Sequence, residues 1–302
     1  MPLVLDADAI RAAVPMAGAI EAVREAFLDL ADGLFVQPQR LTFGESSTLV
    51  MSAYHEPSRS AVVKTLSVIP DRDPMILGTL VWNSEQGQLV ADAETITSLR
   101  TGAVSGVATD LLAPADASRL TLLGAGAQAA DQVRAVVEVR PIRELTVHSR
   151  RRDRAQALLD TLLAEFPLLT GRVAASAEDA VADADVVCCA TSSSTPLFQA
   201  DALPERVHVN AIGSYTPLMR ELPEGLMTTA CVVVDQIEAA LAESGEVNDA
   251  VENALLDPDD LLELGRALRW PPTSTERTVF KSVGLAIQDW AIGRLLGNAH
   301  LA

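Results

Sequence analysis

Three basic residues in the first third of the chain lie in apolar or small-residue surroundings, which is unusual for charged side chains. Arg40 follows a Gln-Pro-Gln run, Lys64 lies inside an apolar run, and Arg100 stands beside Thr101 among small residues. Arginine binds a carboxylate through two parallel hydrogen bonds, and lysine supplies a point charge or a titratable amine. Together they predict a site for an anionic substrate, although each one alone is more often a surface or salt-bridge residue.

The overall charge makes such a local cluster necessary. The 302 residues carry a formal net charge of -18, which repels anions, including nucleic acid phosphates and anionic lipids. We therefore expect no nucleic acid and no membrane as partner. The four histidines and three cysteines show no metal-ligand spacing, so no metal is expected. Because neither a signal peptide nor an apolar run of about 18 residues is found, we expect a cytoplasmic protein.

A glycine-rich run, Gly124-Ala125-Gly126-Ala127-Gln128-Ala129, follows the apolar run Leu120–Leu123 and precedes a helical pattern. In such a strand–turn–helix unit the first glycine permits a tight turn, the second lets the backbone approach a pyrophosphate, and the alanine allows close packing. The free N–H groups of the helix then face the phosphates. The run predicts a dinucleotide site with contacts from Gly124, Gly126, Ala127 and Gln128. The alternative is a glycine-rich turn that binds nothing.

The end of the next predicted strand selects the dinucleotide. NAD-binding domains usually carry an Asp or Glu there, about 20 residues past the glycines, to hold the ribose 2′-hydroxyl. Here the run is Ser149-Arg150-Arg151-Arg152, which contains no carboxylate. Because a guanidinium binds a phosphate through paired hydrogen bonds, Ser149, Arg150 and Arg151 predict NADP(H), with NAD(H) as the alternative cofactor. The other interpretation is a solvated basic start of the following helix.

The order of predicted elements gives an α/β fold in two domains. Residues 1–112 combine helices with short, closely spaced β-rich runs, which indicates a mixed α+β domain that ends in a long helix over Glu94–Leu112. Residues 113–275 alternate strands and helices, which predicts the parallel, doubly wound sheet of a Rossmann domain. Residues 276–302, a strand-like run and an amphipathic helix, are expected to return to the first domain.

Four runs, taken together, resemble the ornithine cyclodeaminase/mu-crystallin family: Ile96–Ser105, the glycine-rich run, Asn210–Ser214 and Thr278–Gly284. The resemblance extends over nearly the whole chain. It implies a bilobed homodimer, in which the first domain supplies dimer contacts and substrate groups. Members of this family move a hydride between a nicotinamide and the α-carbon of an amino or imino acid, so the resemblance implies an oxidoreductase of amino-acid metabolism.

The resemblance also implies roles for individual residues. Arg40, Lys64 and Arg100 match positions that bind the substrate carboxylate and orient the reacting nitrogen, and Thr79 matches a further substrate-side position. Arg150 matches the position that binds the 2′-phosphate. The other cofactor contacts expected on the matched segments are Thr101, Thr191, Ile212 and Ser282.

One departure from the family pattern bears on the reaction. Cyclodeaminases and alanine-type dehydrogenases carry an Asp shortly after the Asn-Ala-x-Gly run, where this chain has Tyr215. Oxidation of an amino acid needs a base near the amine, whereas a cyclic imine can arrive already protonated. The sequence therefore favours an NADPH-dependent reductase of cyclic ketimines such as pyrroline-2-carboxylate or piperideine-2-carboxylate. Lys64 and Tyr215 are the candidate catalytic residues that hydrogen-bond the imine nitrogen.

Two alternatives stay open. The first is an ornithine or lysine cyclodeaminase, or an alanine-type amino-acid dehydrogenase, with a rearranged acid–base group. The second is a non-catalytic, mu-crystallin-like protein that binds a ligand in an NADP-dependent manner. The presence of Arg40, Lys64 and Arg100 together argues against a purely structural protein.

Overall fold

A computed structural model of the chain describes residues 2–44, 47–69, 76–273 and 276–301. The chain divides into two compact units: unit 1 comprises Met1–Val104 and Leu285–Ala302, and unit 2 comprises Ser105–Gly284. Over the described ranges, no helix is long and apolar enough to cross a bilayer, and no group of three or more His, Cys, Asp or Glu residues is placed to hold a metal ion. The cytoplasmic location stays a prediction.

The strands and α-helices are numbered along the chain. The strands are β1 (Leu3–Leu5), β2 (Phe35–Val36), β3 (Leu41–Phe43), β4 (Thr48–His55), β5 (Ser60–Val68), β6 (Ile76–Ser84), β7 (Gly87–Asp92), β8 (Arg119–Leu123), β9 (Glu144–His148), β10 (Thr170–Val173), β11 (Val186–Cys189), β12 (Val207–Ala211), β13 (Cys231–Val234), β14 (Leu262–Glu263) and β15 (Arg277–Lys281). The helices are α1 (Ala7–Ala13), α2 (Met16–Ala31), α3 (Ala93–Leu112), α4 (Ala129–Val139), α5 (Arg152–Glu165), α6 (Ala177–Val181), α7 (Glu224–Met227), α8 (Ile237–Glu243), α9 (Gly245–Glu252), α10 (Leu264–Arg269) and α11 (Ala286–His300).

Unit 1 is built on a mixed sheet with the strand order β1-β7-β6-β5-β4-β2, and β3 also pairs with β4. β1 is parallel to β7, whereas the neighbouring pairs from β4 to β7 are antiparallel, which confirms the predicted mixed sheet. Side chains alternate between the two faces of such a sheet. The inner face, which carries Met51, Lys64 and Leu80, is buried, and α11 packs against β4, β5, β6 and α2.

The last helix differs from its prediction. The sequence pattern predicts an amphipathic helix, but every side chain from Ala286 to Gly293 is buried. The reason is that α11 contacts both the sheet and α2, so that no broad face is left to solvent. Its polar residues near the N-terminus, Gln288 and Asp289, are therefore buried as well.

Unit 2 has eight parallel strands in the order β10-β9-β8-β11-β12-β15-β13-β14. Parallel sheets need cover on both faces, and the strand residues alternate between two cores. Val186 and Cys188 of β11 pack into the core that includes α4 and α5, whereas Val187 and Cys189 pack into the core that includes α6. This arrangement confirms the predicted doubly wound α/β fold.

Both expected domain boundaries differ from the observed ones, and the position of β15 explains the second. β15 pairs with β12 on one side and β13 on the other, inside the sheet of unit 2. The chain therefore returns to unit 1 at Leu285, not at residue 276, and the first division falls within α3 rather than after it. A strand run carries no mark of which sheet it joins, so the boundary was not readable from the local pattern.

Candidate active site

Lys64 lies at an inward position of β5, between its register partners Met51 of β4 and Leu80 of β6. Its side chain is fully buried. The Nζ atom donates to Oδ1 of Asp289 at 2.8 Å and to Oγ1 of Thr97 at 3.1 Å. A buried ammonium requires this kind of compensation, since an unpaired charge in the interior is very costly.

Arg100 and Gln288 complete this group. Arg100 lies one turn after Thr97 on α3, its Nη1 donates to Oε1 of Gln288, and its Nε is 3.5 Å from Oδ1 of Asp289. Of the atoms that the structure describes, Asp289 Oδ2 and Gln288 Nε2 are buried without a hydrogen-bond partner. We call these five residues (Lys64, Thr97, Arg100, Gln288 and Asp289) the Lys64 cluster. Its unsatisfied buried atoms leave it able to accept a polar ligand.

The surroundings of Lys64 change its proton affinity. Burial lowers the pKa of Lys64 to about 8, because desolvation disfavours the charged amine. The carboxylate of Asp289 opposes this decrease, and the positive charges of Arg100 and Arg40 add to it. An amine with a pKa in this range can gain and lose a proton near neutral pH, as a general acid must.

The two remaining predicted substrate residues lie in different surroundings. Arg40 is half-buried in the segment between β2 and β3, and its charge acts on Lys64. Thr79 lies on β6 opposite Thr65 of β5, so its side chain belongs to the exposed outer face of the sheet. Lys64 points to the inner face. Thr79 is therefore not part of the Lys64 cluster, because one step along a strand reverses the face. Its expected substrate-side role stays a prediction.

Thr101 follows Arg100 on α3 and belongs to unit 1. It is buried, and its Oγ1 donates to the carbonyl oxygen of Thr97 at 2.6 Å, a hydrogen bond within the helix. The expected contact between Thr101 and a cofactor stays a prediction.

Asp289 and Gln288 were missed by the sequence reasoning. They interrupt the apolar run Leu285–Ile292 with an acid and an amide. Acids are almost never fully buried unless they are paired, so the interruption was a usable signal. The expectation of an amphipathic helix concealed it, because polar residues of such a helix normally face solvent.

In unit 2, the glycine-rich loop has the geometry that a bound pyrophosphate needs. Gly124 has a φ of +115°, and a Cβ there would lie 2.3 Å from the carbonyl oxygen of Ala190, so the fold itself requires glycine. A Cβ on Gly126 would meet no atom within 4 Å, which leaves open space beside the backbone. The side chain of Gln128 makes no capping hydrogen bond to α4, and its Oε1 is buried without a partner in the described part of the chain. These features match a dinucleotide's phosphates at the start of α4.

The arginines that follow β9 lie beside this loop. His148, the last residue of β9, is the register partner of Leu123, and the N–H of Gly124 donates to its carbonyl oxygen. Ser149 Oγ accepts a hydrogen bond from the Arg151 amide at 3.4 Å. Arg150 and Arg151 are exposed, and neither forms an ion pair with an acidic residue of the described segments. They are thus available to an external anion.

The other predicted cofactor residues of unit 2 follow the ends of neighbouring parallel strands, at the edge where doubly wound sheets bind ligands. Thr191 follows β11, Ile212 follows β12 and Ser282 follows β15, while Tyr215 is half-buried in the loop after β12. The structure therefore brings these segments to the same edge as Gly124.

Two buried carboxylates hold these loops, and the sequence reasoning assigned neither to the site. Glu221 accepts from the N–H and Oγ1 of Thr191 at 2.6 and 2.8 Å. Asp235 accepts from Ser282 Oγ and from the amides of Val283 and Gly284 at 2.8–2.9 Å. Burial raises the pKa of both carboxyl groups, and their hydrogen-bond donors lower it.

A doubly wound sheet with a glycine-rich loop at the end of its first strand defines a Rossmann-type dinucleotide-binding protein. The sequence profile of the ornithine cyclodeaminase/mu-crystallin family matches residues 1–300, and the chain belongs to this family. The membership predicted from the four sequence runs is confirmed.

Similar proteins are found among enzymes of known activity. The chain is 33% identical, over 311 aligned positions, to the Delta(1)-pyrroline-2-carboxylate reductase of Bacillus cereus, covering 97% of this chain and 95% of the relative. It is 30% identical over 305 positions to the ketimine reductase mu-crystallin of Mus musculus, covering 96% and 93%. Its fold matches that of Thermococcus litoralis Delta(1)-pyrroline-2-carboxylate reductase in complex with NADH and L-proline, with a TM-score of 0.93, 29% identity and coverage of 99% and 97%.

Proposed function

We propose that this protein is an NADPH-dependent reductase of small cyclic ketimines, with pyrroline-2-carboxylate or piperideine-2-carboxylate as substrate and the corresponding cyclic amino acid as product. The observation that carries the proposal is the Lys64 cluster, a buried amine paired with a carboxylate and flanked by Arg100. The relatives named as reductases of pyrroline-2-carboxylate and of ketimines support the same reaction. Unit 1 is assigned the substrate and unit 2 the cofactor.

The residues divide the chemistry among them. Arg100 and Arg40 bind the substrate carboxylate, which is the interaction that arginine forms best. Lys64, in its ammonium form, donates a proton to the nitrogen of an imine that binds in its neutral form, and Asp289 favours this charged form of the amine. Tyr215 is a second candidate donor to the nitrogen. When bound, the nicotinamide supplies the hydride that the imine carbon receives.

We propose NADPH over NADH as the cofactor. Gly124, Gly126 and the start of α4 would hold the pyrophosphate, and Arg150 and Arg151 would bind the 2′-phosphate. The support is the exposure of both arginines and the absence, within the described segments, of an acid paired to either. Thr191, Ile212 and Ser282 would lie against the nicotinamide end.

We further propose that the protein is a homodimer joined through the outer face of the unit 1 sheet. Exposed apolar side chains share this face on five neighbouring strands: Val36, Leu41, Phe43, Tyr54, Val63 and Leu77. A contiguous apolar patch on a soluble domain marks an interaction surface, and a second copy offers the same patch. Val63→Glu should yield a monomer by light scattering, whereas Leu168→Glu, at an exposed leucine of unit 2, should leave the mass unchanged. A dimeric Val63→Glu protein would rule out this face.

A second candidate function is the oxidation of an amino acid, as in a cyclodeaminase or an alanine-type dehydrogenase. The observation that favours it is Asp289, which accepts a hydrogen bond from Lys64 and so stabilises the ammonium that forms when Lys64 takes a proton from a substrate amine. Asp289 lies on α11, whereas the Asp of the cyclodeaminases would lie at position 215. The absence of an Asp at position 215 therefore does not leave Lys64 without a carboxylate partner.

A direct comparison of substrates tests the proposal. NADPH consumption should be fast with pyrroline-2-carboxylate and should yield proline, while ornithine with NADP+ should release ammonia far more slowly. Efficient conversion of ornithine to proline without net change of cofactor would select the cyclodeaminase instead. Tight binding of NADPH without turnover of any imine would identify a ligand-binding protein.

A further inference from the structure

Glu221 joins two loops of unit 2 that are distant in sequence. Its side chain is fully buried. Oε1 accepts from both the amide and the hydroxyl of Thr191, and Oε2 accepts from the amides of Gly213 and Ser214 at 2.7 and 3.2 Å. All four partners are donors, so only a group with two acceptor atoms satisfies them together.

The two loops are also in direct contact. A Cβ on Gly213 would lie 2.1 Å from the carbonyl oxygen of Thr191, so no side chain can separate them. Behind Ser214, the buried Lys281 donates from Nζ to the carbonyl oxygen and the hydroxyl of Ser214, both at 2.6 Å. The Ser214 hydroxyl in turn donates to Glu246 at 2.6 Å. The loop after β12 is therefore fixed from two sides by buried charged groups.

We propose that Glu221 is a positioning residue for the cofactor: by accepting all four donors, it sets the shape of the loops that follow β11 and β12. The inference rests on the proposed cofactor site. These loops lie at the carboxyl edge of the sheet, where doubly wound folds bind dinucleotides. Glu221 satisfies the N–H groups of these loops that point into unit 2. The loops can therefore keep one conformation on the side that would face the ligand. Preorganised loops do not have to be ordered when the ligand binds, which increases affinity.

The same sheet contains a matched comparison at its other edge. Asp185 precedes β11, and its Oδ2 accepts from the amides of Ser118 and Arg119, both at 2.9 Å, at the start of β8. It is thus a second carboxylate that joins two chain segments through backbone N–H groups, but at the amino edge. If Glu221 served only to stabilise unit 2, its replacement would lower the Tm and leave the Kd for the cofactor nearly unchanged, as is expected for Asp185.

The test compares Glu221→Gln with Asp185→Asn. Glutamine keeps the size of the side chain but replaces one carboxylate oxygen by an NH2 group. This group is a donor and cannot accept from the loop N–H groups that the oxygen satisfied. Titration of NADPH by fluorescence should show the Kd of Glu221→Gln raised by about tenfold or more, equivalent to about 1.4 kcal/mol. Asp185→Asn should bind within about twofold of the unchanged protein, and both variants should have a lowered Tm. Hydrogen exchange should accelerate at 191–193 and 212–215 only in Glu221→Gln.

The outcomes separate the inference from the proposed function. If the unchanged protein does not bind NADPH or NADH, the proposed cofactor site is wrong. If it binds, but Glu221→Gln binds equally well, the positioning role is wrong. Hydrogen exchange of the unchanged protein is a second test that needs no variant. Bound cofactor should slow the exchange of the backbone amides in residues 191–193 and 212–215, and unchanged exchange there would overturn the inference. Glu221→Asp, which keeps the charge but is one methylene shorter, should give an intermediate Kd.

Discussion

The charge of Asp289 should control the pH range in which the enzyme works. Asp289→Asn keeps an oxygen that can accept from Lys64 Nζ, now 2.8 Å away, but removes the negative charge. A hydrogen bond to a charged acceptor is worth about 1 to 2 kcal/mol more than one to a neutral acceptor. Since about 1.4 kcal/mol corresponds to a factor of ten in proton affinity, the pKa of Lys64 should fall by about one unit, from about 8 to about 7.

The direction of the change follows from the form of Lys64 that acts. In the proposed reaction the ammonium is the proton donor, so activity should be present below the pKa of Lys64 and lost as the pH rises through it. At pH 7.5 about three quarters of Lys64 is protonated in the unchanged protein, against about one quarter in the variant. The rate of imine reduction should therefore fall about threefold at pH 7.5. At about pH 5.5 the two proteins should differ little.

The assay is the pH dependence of kcat/KM for reduction of pyrroline-2-carboxylate with NADPH. Titration of the imine itself affects all variants equally, so the separation between their profiles reports on the enzyme. Asp92→Asn is the control, because Asp92 accepts from the amide of Thr95 at the start of α3 and asparagine caps helices equally well. Superimposable profiles for Asp289→Asn and the unchanged protein would refute the assignment of Lys64 as the proton donor under the control of Asp289.

Three further outcomes are expected. Arg150→Ala should weaken NADPH binding by about 1.5–3 kcal/mol and leave NADH binding unchanged in nucleotide titrations, whereas equal loss for both would show that Arg150 does not contact the 2′-phosphate. Gly126→Ala should fold with a normal Tm but raise the Kd for the cofactor, because its methyl group meets open space in the protein. Gly124→Ala should lower the Tm even without cofactor, because its methyl group meets the backbone of Ala190. A normal Kd in Gly126→Ala would place the pyrophosphate elsewhere. Arg40→Ala and Arg100→Ala should raise the KM for the imine strongly and leave the Kd for NADPH nearly intact, and normal kinetics in either folded variant would remove that residue from the site.

Much of the fold was predictable because each element has a strong local signal. The runs that become β8, β11 and β12 are β-rich and buried on both faces apart from Arg119, as parallel strands require, and the glycine-rich run lies between a strand and a helix. The long helix predicted from Glu94 is α3, beginning at Ala93. Local signals do not show which distant segments pair, and β15 is the example. Its own residues indicate a strand, but its pairing with β12 and β13 is set by the whole sheet.

The site was predictable to the same extent and for the same reason. Glycine types indicate tight turns and close backbone approach, so the strand–turn–helix at Gly124 could be predicted from sequence, while the cofactor contacts of Gly124 and Arg150 stay predictions. The position of Thr79 on the face opposite Lys64 was not predicted, because the pairing of β5 with β6 sets this face. Glu221 and Asp235 were not assigned to the site, since an acid whose partners are backbone amides of distant loops has no local pattern.

Asp289 supplies a carboxylate that the local sequence pattern did not indicate. The run after Asn210 has Tyr215 where cyclodeaminases and alanine-type dehydrogenases carry an Asp, and this difference favoured a reductase. The structure shows that a carboxylate is available to Lys64 from α11. Because the pKa of Lys64 is about 8, the amine is mainly a proton donor below this pH and mainly a proton acceptor above it. In the proposed reaction a donor serves the reduction of an imine and an acceptor serves the oxidation of an amine, so the Lys64–Asp289 pair is compatible with both directions and the residue at position 215 does not by itself select between them.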